Sequence, residues 1–143
     1  MKKIPLIMLL TLSVCLTLGM AIAVDYPLTV TDSAERSVTI EVQVEKIVVL
    51  NSDAAEAVSI LGAVDRIVGT TDSVPNYKAY YFADVMGDWE IVGTWKEFNY
   101  EKIADLAKND EGEIEPGTLV ICYASKAGEV DENLKPFEEI DVL

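Results

Sequence analysis

The order of apolar runs predicts an α/β fold: a three-layer sandwich on a mostly parallel sheet, preceded by a β-hairpin. Three observations carry this. "KIVVL", Lys46–Leu50, is a short continuous apolar run of the kind that forms a strand buried on both faces. A helical segment follows it, and then a second short strand in "DRIVGT", so residues 46–69 read as one β-α-β unit. Its right-handed crossover makes the two strands parallel. A third buried strand is expected in "TLVICYA", after a further helical segment.

The first segment of the chain reads as a targeting signal. Lys2 and Lys3 give a basic start, "IPLIMLLTLSVCLTLGMAIA" is apolar, and Ala21-Ile22-Ala23 offers a small-x-small cleavage site after Ala23. The competing reading is an uncleaved anchor, since the apolar run is nearly long enough to span a bilayer. Lipidation of Cys15 is the weaker alternative, because Val14 stands where a small residue is wanted. Next, "YPLTVTDSAERSVTIEV" alternates apolar and polar residues on both sides of "DSAER" and predicts a hairpin of Leu28–Val30 with Val38–Val42.

After the first buried strand, Asp53 and Glu56 have capping-box spacing, and Ala54, Ala57, Val58 and Leu61 share one helical face. Gly62 stands where a helix C-terminus would place it. Residues 71–98, rich in aromatics and turn formers, predict a long loop with a helical turn near Lys78–Ala83 and a short strand near Ile91–Val92. Asn99 is placed to cap a helix from Tyr100 to Lys108. "NDEGEIEPG" reads as a solvated turn; it lacks the oxygen-ligand spacing of an EF-hand, so calcium is the lesser reading. "EVDENLKPF" predicts a helix broken near Pro136, and "EIDVL" opens a last strand. With no helix after it, a bare sheet edge and a fragment of a larger architecture are expected.

Composition narrows the function. Cleavage after Ala23 leaves 120 residues and removes Lys2 and Lys3, taking the formal charge from −14 to −16. One modest core fits in that length. The acidity excludes nucleic acid, whose phosphates would be repelled. There is no histidine, the commonest general base and transition-metal ligand. Past the signal only Cys122 remains, in apolar surroundings that suit a small core residue. No nucleophile elbow, phosphate loop or cysteine cluster is present, so no catalytic residue, cofactor or metal site is predicted and the chain is not expected to be an enzyme. Scattered carboxylates could form a glycosidase-like pair, but nothing singles out two of them.

Four segments in order resemble a known family. "DSAERSVTI" is similar to a D-x-x-G-R-x-V-T hairpin, with Glu35 in place of the usual glycine. "KIVVLNSDAAEAVSILGAVDRIVGTTD" matches R-I-V-x-L-x-x-x-x-x-E, and "VGTWKEFNYEKI" matches V-G-x-W-x-x-x-N-x-E-K-I. "LAKNDEGEIEPGTLVI" departs from L-K-P-D-L-V-I by an insertion and the loss of Pro-Asp. The family is that of the periplasmic binding proteins for ABC importers of iron-siderophores, haem and vitamin B12. The resemblance covers nearly all of residues 28–143. It implies the N-terminal lobe of a two-lobe clamp, over residues 24–143, whose connecting helix and second lobe are absent.

The resemblance also implies site residues. The loop carrying Trp95 would face the cleft between lobes, where an indole offers a large apolar face and one N–H donor. Equally, Trp95 could anchor its own loop on the core. Glu101 would dock into an arginine pocket of the permease, with Glu97 as a nearby substitute; an acid in a helix's first turn is also favoured by the helix dipole alone. From the general rule that open α/β sheets bind ligands at the carboxyl ends of their strands, Asn51, Ser52, Thr71 and Asp72 are ligand-binding candidates. Tyr77, Tyr80 and Tyr81 lie in the following loop, where core packing or exposure competes with ligand contact.

The expected function is therefore the solute-binding component of an ABC importer for an iron chelate, haem or a corrinoid. The protein would be exported, periplasmic or extracellular, and held at the membrane by its permease. A second lobe or a homodimer would complete the clamp. The alternative is a stand-alone interaction or adhesion module, or a gene fragment without a function of its own.

Overall fold

A computed structural model describes residues 24–33, 35–76 and 84–122. Two strands, β1 (Leu28–Thr31) and β2 (Ser37–Ile40), form the antiparallel hairpin, pairing Leu28 with Ile40 and Val30 with Val38. Then come β3 (Lys46–Val49), α1 (Ser52–Ile60), β4 (Ile67–Thr70), β5 (Glu90–Ile91), α2 (Tyr100–Leu106) and β6 (Thr118–Ile121). The last four strands make one sheet in the order β5-β4-β3-β6, and every pairing in it is parallel. The expected turn at 78–83, the helix near Pro136 and the strand at 139–143 lie outside the described residues.

β3 is the middle of this sheet and explains the three layers. Its side chains alternate between faces. Ile47 and Val49 pack with Ile67, and with Ala55 and Val58 of α1, on one side. Val48 and Leu50 pack with Val92, and with Ile103 of α2, on the other. Ile47, Val48, Val49 and Leu50 are all buried, which is why "KIVVL" shows no polar alternation after its lysine. Both faces of the strand are covered, each by one helix.

α1 departs from expectation at its start. The cap is Asn51, whose Oδ1 accepts from the Ala54 N–H at 2.7 Å; Asp53 is already inside the first turn. The Asp53–Glu56 capping box is thus corrected, since two cap-forming residues stand in "NSD" and the earlier one is used. The buried stripe moves with it. Ala55, Val58 and Ser59 face the sheet, with Ala54 partly buried, while Ala57 is exposed and Leu61 is 82% exposed. Ser59 tolerates burial because its hydroxyl donates to the Ala55 carbonyl at 2.7 Å. α2 begins where expected, with Asn99 Oδ1 accepting from the Lys102 N–H at 2.9 Å, and ends at Leu106.

Glu35 sits at φ 62, in the left-handed region, within the loop 32–36 that closes the hairpin. That loop is pinned by Asp32, whose carboxylate accepts from the Arg36 backbone N–H at 2.9 Å and from Arg36 Nε at 2.6 Å. Such loops normally place glycine at this position, because an L side chain there costs about 1–2 kcal/mol. Glycine's larger loss of freedom on folding offsets about 0.5–1 kcal/mol of that. Glu35→Gly is therefore expected to stabilise the protein by about 0.5–1 kcal/mol, a rise of about 2–5 °C in the thermal midpoint followed by circular dichroism. An unchanged or lower midpoint would show that the hairpin loop carries no strain.

Candidate functional site

Because all four sheet strands run parallel, their carboxyl ends share one rim. Asn51 and Ser52 leave β3 there, Thr71 and Asp72 leave β4, and the Trp95 loop follows β5. The sheet brings together five of the six residues singled out from sequence. Glu101 lies beyond the loop, exposed in the first turn of α2.

The loop 93–98 is built by its backbone. Gly93 and Phe98 form an antiparallel bridge, and the Thr94 N–H donates to the Glu97 carbonyl at 2.9 Å. Thr94 Oγ1 accepts from the N–H groups of Lys96 and Glu97 at 3.3 and 3.2 Å, closing the tip. Both ends are tied to the sheet. The Val92 N–H donates to the Thr70 carbonyl, the Asn99 N–H to the Val92 carbonyl, and the Asp72 N–H to the Gly93 carbonyl, at 2.8, 2.8 and 2.9 Å. Gly93 is required at φ 124, where a Cβ would also fall against the Glu97 carbonyl oxygen and within 3.0 Å of Phe98 Cα.

Trp95 stands at the tip and is 66% exposed, so it does not anchor the loop in the core. That task falls to Val92, fully buried, and to Phe98, which meets Tyr100 edge to face at 6.4 Å. Lys96 Nζ lies 4.8 Å from the Trp95 ring centroid. Lys96 carries no mark in the sequence, because a cation over a neighbouring ring depends on loop conformation and leaves no pattern to read.

The other rim residues divide by what their side chains are doing. Asn51 uses Oδ1 for its cap. Thr71 is buried; its Oγ1 donates to the Leu50 carbonyl at 3.4 Å and lies 3.2 Å from Ser73 Oγ, so its hydroxyl joins the exits of β3 and β4. Ser52 is half-buried and Asp72 exposed on the rim. Tyr77, Tyr80 and Tyr81 lie outside the described residues. Among the described residues no group of His, Cys, Asp and Glu is arranged to hold a metal ion. α2 is fastened at the far side of the loop, where Lys102 pairs with Glu90 and donates to the Ile91 carbonyl at 2.8 Å.

Cys122 follows β6 and is half-buried against the Val48–Ile103 cluster, so it is less enclosed than the core residue expected from its apolar context. Burial pushes its thiol up; the hairpin's Arg36 opposes this and Asp32 adds to it. Tyr100 is also pushed up, first by burial and then by the charge a Cys122 thiolate would carry.

No protein-family model matches the chain, and no curated protein matches it at a significant level. Solved structures do. The iron uptake ABC transporter substrate-binding protein PiuA from Streptococcus pneumoniae is 28% identical, with a TM-score of 0.56 over 82% of this chain and 36% of its own. The petrobactin-binding protein YclQ from Bacillus subtilis is 24% identical, with a TM-score of 0.57 over 81% of this chain and 36% of its own. The Haemophilus influenzae molybdate periplasmic binding protein MolA is 21% identical, with a TM-score of 0.56 over 80% of this chain and 32% of its own. The fold is that of a periplasmic solute-binding protein. The chain spans about a third of the length of these solute-binding proteins, in keeping with a single lobe.

Two outcomes are expected at this site. Gly93→Ala should collapse the loop rather than adjust it, because the added carbon meets backbone; limited proteolysis should cut near Trp95 while far-ultraviolet dichroism persists, and an uncut loop would refute the requirement. The raised thiol and phenol set an alkaline limit. Both are held neutral in the fold, so their contribution is intact below the ordinary thiol value of 9.0 and is lost as pH rises through and above it. Urea unfolding free energy should fall from pH 8 to 10.5, and Cys122→Ala should flatten the fall; equal slopes would argue against it.

Proposed function

We propose that residues 24–143 form the N-terminal lobe of an exported solute-binding protein, released from a signal peptide at residues 1–23, that serves an ABC importer. The solute is an iron chelate or corrinoid, presented to a membrane permease. The observation that carries the reading is the exposed Trp95, held by a backbone-locked loop on the carboxyl rim of a parallel sheet, in a fold shared with substrate-binding proteins. Ligands of open α/β sheets gather on that rim. The work of such a site is binding rather than catalysis.

The roles divide across the loop-to-helix junction at Asn99. Trp95, with Asn51, Ser52, Thr71 and Asp72 behind it, forms the solute side, and Glu101 on α2 forms the docking side. A carboxylate on a rigid helix suits a bidentate guanidinium on the permease. One lobe supplies about half the contact of a clamp, and each ~1.4 kcal/mol lost is tenfold in affinity. The chain alone should therefore bind its solute more weakly than about 1 µM.

The test measures two affinities for two variants. Trp95→Ala should weaken binding of ferric chelates or cobalamin and leave capture by permease-containing vesicles intact. Glu101→Ala should do the reverse, by about 2–5 kcal/mol if the carboxylate is buried at that interface and far less at its rim. Loss of solute binding in Glu101→Ala, or unaltered docking, would refute the division of roles.

A further inference from the structure

We propose that the apolar face of the β1–β2 hairpin is a docking surface for residues 130–137 of this same chain, which pack Val130, Leu134 and Phe137 on it. These residues lie outside the described ones. Neither the solute nor the permease enters into this contact.

The hairpin is two-sided. Leu28 pairs with Ile40 and Val30 with Val38, and directly opposed residues share a face, so these four side chains make one apolar surface. The other face carries hydroxyls, with Thr29 Oγ1 and Thr39 Oγ1 3.3 Å apart. Leu28 and Val30 are each 39% exposed, and Val38 and Ile40 are only partly buried. Among the described residues no side chain of β1 or β2 joins either core cluster; Val44 is the first after them to do so. A two-stranded hairpin is marginal in water by itself and gains independent stability from a further strand or a helix packed on its apolar face. The four apolar residues therefore call for a cover that the described residues do not supply.

Placement singles out the cover. The hairpin meets β6 at both ends. At its base, a Cβ added to Gly117 would lie 3.4 Å from Val42 Cγ2, and the Glu45 N–H donates to the Gly117 carbonyl at 2.9 Å. At its loop, Asp32 and Arg36 lie near enough to Cys122 to act on its thiol. β6 is itself short of cover: among the described residues it pairs only with β3, and Leu119, Val120 and Ile121 are partly buried. The chain therefore leaves β6 beside the hairpin loop. Residues 123–129 can reach up to about 23 Å, against about 13 Å for the length of β1. Beyond them Val130 and Leu134 stand four apart, on one face of the expected helix, and Phe137 follows the break at Pro136. Asp131, Glu132 and Lys135 make the intervening positions polar. The short tether gives this segment an effective concentration on the order of millimolar at the hairpin, an advantage that a second copy of the chain lacks.

The test uses the full chain in solution. In an isotope-edited NOE experiment the Phe137 ring protons should contact methyl groups of Leu28, Val30, Val38 or Ile40. Urea unfolding then measures what the contact contributes. Phe137→Asp should lower stability by about tenfold or more in the unfolding constant, the scale of one buried aromatic side chain, and should speed hydrogen exchange of the hairpin amides. Val30→Thr should be destabilising alone yet cost less than about twofold in the Phe137→Asp background, because residues that share a contact do not add. Glu132→Gln, on the polar side, should change neither measurement. Contacts of Phe137 with other methyl groups only, or full additivity of Val30→Thr and Phe137→Asp, would overturn the proposal. NOEs seen only between differently labelled copies in a mixed sample would overturn it too, and would assign the face to a second copy.

Discussion

The structure depends on one strand being buried from every side. β3 is paired on both edges, with β4 and β6, and covered on both faces. Its register is fixed by more than ladder bonds. At its start, the Glu45 and Lys46 N–H groups both donate to the Gly117 carbonyl, and Lys46 Nζ reaches the Lys108 carbonyl. At its end, the Leu50 N–H donates to the Ile121 carbonyl at 2.9 Å. A one-residue slip would exchange the α1-facing set Ile47 and Val49 for the α2-facing set Val48 and Leu50, unmatching both helices at once. The common rim of parallel carboxyl ends, and so the site, follows from that register.

The coarse architecture was legible because burial on two faces leaves a continuous apolar run in "KIVVL"; "TLVICYA" carries a similar run, although its strand is only partly buried at the end of the described sheet. The Asn99 cap was legible for a similar reason, being a single polar cap residue before a helix. α1 was misread by a residue or more because "NSD" offers several caps of similar quality. In the fold the cap is Asn51, and Ala55 and Val58 pack against β3. No local propensity separates Asn51 from Asp53.

The site was legible as a place and only partly as chemistry. Topology alone put Asn51, Ser52, Thr71 and Asp72 on one rim, and the family resemblance added Trp95. What each side chain does there is set by distances that sequence does not encode. Thr71 looked available, yet its hydroxyl binds the Leu50 carbonyl, a residue 21 positions away. Neighbouring Thr70 is equally buried, and its hydroxyl has no hydrogen-bond partner among the described residues. The two threonines are adjacent and chemically identical, but successive side chains point to opposite sides of the chain, so only one of them meets that carbonyl.

The Trp95 loop shows how a small lobe can present an exposed aromatic in a defined place. An exposed indole gains little from burial, so its position must be fixed by something other than its own packing. Here the backbone does it. Three N–H donors at Asp72, Val92 and Asn99 bind the base of the loop to β4 and to the entry of α2, and Thr94 closes the tip. The cost sits at Gly93, whose φ and crowding exclude any side chain. If the rim takes a solute as proposed, a loop ordered beforehand removes an entropy cost that binding would otherwise bear. It also keeps α2, and with it Glu101, at a fixed offset from Trp95 through the Asn99 junction. Under the proposed division of roles, capture and docking would act from one rigid piece without sharing a residue.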